Sequence, residues 1–95
     1  MSDHMEDAIS EMHGLEPVMS KPVSLGNEAA GELVRACVKH KPMHGAHEGY
    51  AVILEELDEL WDEVKAQTPD KTKMRKEALQ VAAMALRFVW DICDR

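Results

Sequence analysis

The sequence predicts an all-α protein, and three observations predict it. No run alternates β-branched and polar residues between turn signals, so nothing reads as a strand. Two long stretches repeat apolar residues at the three- and four-residue intervals of a helix. Seven Met and many Ala, good helix formers, stand beside a few aromatics, Tyr50, Trp61, Phe88 and Trp90. At 95 residues the chain makes one small domain. A chain this short buries so little surface that a second copy is an expected source of extra core.

Residues 1–24, "MSDHMEDAISEMHGLEPVMSKPVS", mix charge, Met, Pro and Gly without sustained periodicity. Gly14, Pro17 and Pro22 argue against a long helix there, leaving at most a helical turn around Met5 to Met12. This stretch is expected to be a poorly ordered arm, with the helical domain over residues 25–95. The first helix should start near Asn27, a good N-cap, and run through "EAAGELVRACVKHK" until Pro42 stops it. Leu33, Val34, Cys37 and Val38 form its apolar face, with Ala30 on the edge. After the loop "PMHGAH", a second helix is expected from about Ala46 to Gln67, ended by "TPD". Asp70 or Thr72 then caps a third helix that reaches nearly to the C-terminus.

Eighteen acidic against eleven basic residues give a formal charge of −7. That balance argues against binding nucleic-acid polymers or anionic membranes, where Lys and Arg neutralise phosphates. A phosphorylated small molecule stays open, provided that a metal supplies positive charge. Cys37 and Cys93 lack CxxC spacing and read as two free thiols of a reducing compartment. With no membrane-length apolar run and no visible signal peptide, a cytoplasmic location is expected.

On a helical wheel the second helix carries a stripe of Tyr50, Ile53, Leu54, Leu57, Leu60, Trp61 and Val64. Glu56, Glu59 and Glu63 line one flank of it. The third helix centres on Met74, Val81, Ala85, Phe88 and Ile92, with Ala78 and Met84 beside them. Leu79, Leu86 and Trp90 lie opposite, so this helix is apolar nearly all round and should be covered on more than one side. Glu77 projects within its central stripe, and Gln80, Arg87 and Asp91 run down the edge. A carboxylate on an apolar face is costly unless it is paired, hydrogen-bonded or bound to a metal. If the two helices are antiparallel neighbours, Glu56 and Glu59 can face one pocket with Glu77 and Gln80. Hard cations such as Mg²⁺ prefer such oxygen ligands and share their remaining positions with water and substrate phosphates.

Simpler explanations compete for each residue. Glu56 and Glu59 also suit a solvated flank, and Glu77 suits a salt bridge to Lys73 or to a base on another helix. Gln80 suits an interhelical hydrogen bond. Arg87 and Asp91, one turn apart, most simply pair with each other on the rim. Lys65, Lys71, Lys73, Arg75 and Lys76 bracket the turn, where solvation accounts for most of them. His40, His44 and His47 do not match a zinc-finger spacing and suit loop and capping roles. Trp61 and Trp90 suit core or interface packing more than stacking on a base.

The blocks "HEGYAVILEELDELWDEVK" and "MRKEALQVAAMALRF" resemble the MazG-like nucleotide pyrophosphohydrolases, in particular a small subgroup from bacteria and phages. That family carries ExxE on one helix and ExxD on the next. "EELDEL" matches the first motif and "KEALQVAAM" resembles the second, over about half the chain. The resemblance implies an all-α bundle of three main helices completed by oligomerisation, as a homodimer or homotetramer. It implies metal-binding and catalytic acids at Glu56, Glu59 and Glu77, with position 80 as a further ligand. The implied cofactor is Mg²⁺, with Mn²⁺ as a substitute, and the implied reaction converts a nucleoside triphosphate to monophosphate and pyrophosphate, as in clearance of non-standard nucleotides. Position 80 departs from the pattern, being Gln instead of Asp. An amide can ligate a metal through its carbonyl but carries no charge, so the alternative expectation is a silent helical interaction module. An acidic mimic of nucleic acid fits the charge but not the position of Glu77.

Overall fold

The structure, a computed structural model, describes residues 16–95, and every regular element among them is a helix. Helix α1 spans Glu16–Lys39, α2 spans Ala46–Val64 and α3 spans Lys71–Phe88, and α3 runs on into a π-helical turn, Val89–Cys93. The first helix extends further toward the N-terminus than Asn27 and contains Pro22. A proline inside a helix removes one backbone bond, here the one that would reach the Val18 carbonyl. Residues 20–28 are exposed, so water can satisfy that carbonyl and the helix continues. The expected arm is therefore helical from Glu16 onward; its residues 1–15 lie outside the described residues.

The other boundaries follow from local chemistry. Asp70 caps α3, its carboxylate accepting from the Thr72 and Lys73 backbone N–H groups at 2.8 and 3.3 Å. Gly45 caps α2 in an extended conformation with no side-chain bond. Glu48 in the first turn accepts from the His44 N–H at 3.1 Å and so ties the residue before the cap to the helix. Helix α2 stops at Val64, three residues before the expected end, with the Lys65 N–H closing on Trp61.

Helix α3 is the centre of the molecule, packed against α2 on one side and α1 on another. Its Ala83 and Met84 meet Met43 from the α1–α2 loop in the buried cluster, ringed by Leu33, Ala36, Val52, Ile53, Phe88 and Ile92. Gly49 is required where α2 passes closest to α3. A Cβ there would lie 2.6 Å from Phe88 and 3.0 Å from the Met43 sulfur. On α1 the packed face is Ala29, Leu33 and Ala36; the expected face members Val34 and Val38 are exposed. The described residues form a slab of 40 × 39 × 21 Å, with a radius of gyration of 16.0 Å against about 12 Å for a compact chain of this length. No large side chain among them is fully buried. No helix among them is long and apolar enough to cross a membrane.

Candidate metal centre

Helices α2 and α3 form a hairpin across the short 65–70 connection, and this brings their acids together. Glu56 and Glu59 lie nearly one turn apart on α2, and Glu77 faces them from α3. Carboxylate oxygens of all three fall within 4.8 Å of one another. Glu56 and Glu77 are half-buried, because each sits beside the interhelical seam, whereas Glu59 is exposed. Three negative groups at this distance repel strongly unless protons or a cation intervene.

The electrostatics follow from that crowding. Burial pushes the Glu56 carboxyl up to about 7, and the charges of Glu59, Glu77 and Glu55 add to the effect. Burial also raises Glu77, with Glu59 and Glu63 outweighing the opposing pull of Lys76. No basic side chain among the described residues forms a salt bridge with any of the three. Lys73, a candidate partner for Glu77, does not pair with it. Nor do other bases of the turn: Lys65 pairs with Asp62 at 3.5 Å, and Arg75 crosses to Glu28 on α1. The donor set suits a hard divalent ion, since oxygens on opposite sides of such an ion stand about 4–5 Å apart.

Gln80 is placed next to this cluster but is engaged elsewhere. Its amide N–H donates to Glu32 of α1 at 2.5 Å. The Arg35 guanidinium, also 2.5 Å from Glu32, and then Gln80 hold the Glu32 carboxyl below its usual range. Glu32, Gln80 and Glu56 share the wall of a cavity of about 690 Å³ between α1, α2, α3 and the 40–45 loop. Val52, Ala36 and Met84 supply apolar lining, while Lys39, Lys41 and Arg35 bring positive charge to the same opening. Sequence reasoning missed Glu32, because its partner is 48 residues away and nothing in its own helix marks it.

The Arg87–Asp91 pair forms as expected, Nε to Oδ2 at 3.0 Å, but it is buried instead of lying on the rim. Arg87 also donates to the Ala36 and His40 carbonyls at 2.9 and 2.8 Å, satisfying the end of α1. Asp91 accepts from the Met43 N–H at 3.0 Å. That bond, then Arg87 and Arg95, hold the Asp91 carboxyl below its ordinary value despite burial. This is a clasp joining α1, the loop and α3. The histidines join no metal-compatible group among the described residues. Trp61 and Trp90 are each about half exposed, at 57% and 50%, so neither is enclosed by the described residues.

No family model, curated protein or solved structure matches the chain.

Proposed function

We propose that the protein is a MazG-like, Mg²⁺-dependent nucleoside triphosphate pyrophosphohydrolase, releasing a nucleoside monophosphate and pyrophosphate. The observation that carries this reading is the convergence of Glu56, Glu59 and Glu77 from two consecutive helices, with no salt bridge to any of them among the described residues. An acidic cluster left without a counter-charge is costly, and a divalent ion relieves that cost. When bound, Mg²⁺ would neutralise phosphate oxygens and acidify a coordinated water.

The chain's own groups fit the remaining tasks. Glu56, Glu59 and Glu77 would hold the ion, with Glu59 the exposed member of the three. A carboxylate oxygen of this set left free by the ion would accept the proton of the attacking water. Water adds across the α–β anhydride bond, which breaks to give the nucleoside monophosphate and pyrophosphate. The adjoining cavity is in the size range of small-molecule sites. Its apolar wall suits a base, and Arg35, Lys39 and Lys41 suit phosphates.

The second reading, a silent helical interaction module, is favoured by one observation: Gln80 replaces the charged ligand of the family pattern and spends its amide on Glu32. Pyrophosphate release screened over the common triphosphates with Mg²⁺ and Mn²⁺ separates the two. The enzyme reading expects release that is abolished by Glu56→Gln and Glu77→Gln. No release from any substrate, with no gain from Gln80→Asp, would leave the module.

A further inference from the structure

Helices α1 and α2 both pack on α3 and barely on each other, so the cavity between them has two banks and a floor. Glu56 stands on the α2 bank. Glu32 stands on the α1 bank, outside the group of three acids, and Gln80 comes from α3 between them. Two partners hold Glu32. The Gln80 amide N–H donates to its Oε2 at 2.5 Å. Arg35 meets it as a fork, with Nη2 donating to Oε1 at 2.5 Å and Nε to Oε2 at 3.4 Å. The partners are not equally fixed. Gln80 belongs to another helix and is half-buried, whereas the Arg35 side chain is 62% exposed. Arg35 also sits only three residues away on the same helix, and an exposed pair of that kind adds little stability. Arg35 and then Gln80 keep the Glu32 carboxyl ionised, and an ionised carboxylate only accepts hydrogen bonds.

We propose that Glu32 reads the base of the nucleotide, and that it selects a base with a ring N–H beside an amino group, as on the guanine edge. The inference rests on the reading of this site as one for nucleoside triphosphates and adds which base they carry. Arg35 shows what the seat accepts: two N–H groups side by side, directed at the two oxygens of one carboxylate. Guanine offers the same fork from its N1–H and its 2-amino group. Adenine and cytosine set a ring-nitrogen acceptor next to their amino group, and thymine flanks its N–H with carbonyls. Each of these turns a lone pair toward a carboxylate that has no proton to give. The surroundings suit a base at this point. Ala36 is one turn from Glu32 on α1, and Met84 is one turn from Gln80 on α3, so apolar lining adjoins the carboxylate. Gln80 steadies Glu32 while the base displaces the exposed Arg35, whose guanidinium stays at the same opening as Lys39 and Lys41. Gln80 thereby has a task that the Asp of the family pattern could not perform: an ionised Asp has no N–H to donate and would repel Glu32.

Titration calorimetry of the full chain with Mg²⁺ and α,β-imido nucleoside triphosphates, which resist hydrolysis at that bond, tests the inference by binding alone. The guanine and hypoxanthine analogues carry identical phosphates and differ in the 2-amino group, so their affinity ratio isolates the base edge. Guanine should bind on the order of tenfold more tightly than hypoxanthine, and up to about 100-fold more tightly than adenine. Glu32→Gln keeps the shape and an acceptor for Gln80 but replaces one acceptor facing the base with a donor. Guanine affinity should fall and adenine affinity should rise, a gain that mere loss of structure does not produce. Arg35→Ala vacates the seat and should keep or widen the guanine-to-hypoxanthine ratio, because both ligands lose the same phosphate partner. Equal affinity for the bases in the wild type, or preference for a base other than guanine, overturns the inference and leaves the triphosphate site standing. Binding of no analogue overturns both. A guanine preference that survives Glu32→Gln, or one that narrows in Arg35→Ala, also overturns the role of Glu32.

Discussion

Helix α3 carries two charged clusters that solve the same problem in opposite ways. Toward its start, Glu77 meets Glu56 and Glu59, and every neighbouring charge but that of Lys76 makes the carboxylate form harder to keep. Toward its end, Asp91 meets Arg87, the Met43 N–H and Arg95, and each favours the carboxylate. Asp91 is the more deeply buried of the two, yet its carboxyl is held down while those of Glu77 and Glu56 are pushed up. Burial alone therefore does not set the character of an acid; the partners do. A cluster complete within the chain fastens helices together. A cluster that lacks its counter-charge stores repulsion that an external cation can release.

The comparison is tested most severely at the complete cluster. Asp91→Asn keeps the shape but removes the charge facing Arg87, and Arg87→Met leaves Asp91 with only the Met43 N–H and the more exposed Arg95. Breaking a buried pair by removing one partner costs about 3–5 kcal/mol, a large part of the stability of a domain this size. Both variants should shift the urea midpoint far to lower concentration. A change within error at either position would mean that the pair contributes nothing, and the contrast between the clusters would collapse.

A gentler push on the same clasp comes from Gly49→Ala. The new methyl would meet Phe88 and the Met43 sulfur, and Met43 supplies the N–H that Asp91 accepts. Overpacking of this kind costs about 1–3 kcal/mol, read from chemical denaturation. Metal response should survive, because no atom of the acidic cluster is touched.

How much of this was legible in the residues depended on range. The three helices, the Asp70 cap and the placement of Glu56, Glu59 and Glu77 around one hairpin follow from intervals of three and four residues and one short connection. Pro22 misled, because a proline stops a helix only where the freed carbonyl has no other donor, and at an exposed stretch water serves. The burial of Arg87 and Asp91 was not readable from their spacing. What buries them is Met43 and the last carbonyls of α1, with Met43 48 residues from Asp91 and Ala36 51 residues from Arg87. The same distance hid Glu32 behind Gln80. The wide apolar stripe of α2 was plain, but not that Ile53 and Leu60 would turn inward while Leu57 and Trp61 stayed out.

The incomplete cluster should respond to what it lacks. A ligand of the native state at ten times its Kd adds about 1.4 kcal/mol, so Mg²⁺ or Mn²⁺ in that excess should raise Tm by roughly 5–10 °C in a domain of this size. Glu77→Gln should melt slightly higher than wild type without metal, since one repelling charge is gone, and should lose most of the metal-induced gain. If Glu77→Gln keeps the full response, the cation does not sit among these three acids. Asp91→Asn supplies the counter-case: its metal-free Tm should fall while the increment from Mg²⁺ persists.

The smallest effect is the most discriminating, because the two clusters should answer pH with opposite signs. The Asp91 carboxyl is lowered on folding, so its contribution is present above the unfolded carboxylate range and fades as pH falls through the folded value. Glu56 is raised from 4.5 to about 7, so the native state binds the extra proton between those values. Its contribution is complete below the unfolded value and disappears as pH rises through about 7. Metal-free protein should therefore lose on the order of 1 kcal/mol, after solvent screening, between mildly acidic and mildly alkaline buffer. Glu56→Gln should flatten that slope. A cation replaces the same proton, so Mg²⁺ should stabilise more at alkaline than at acidic pH and release protons on binding near neutrality, which titration calorimetry in buffers of different ionisation enthalpy can count. A metal-free stability that climbs steadily from acid to alkali, with no contribution of the Glu56 sign, would mean that these carboxylates are hydrated independently and store no repulsion, and the contrast would rest on the Arg87–Asp91 clasp alone.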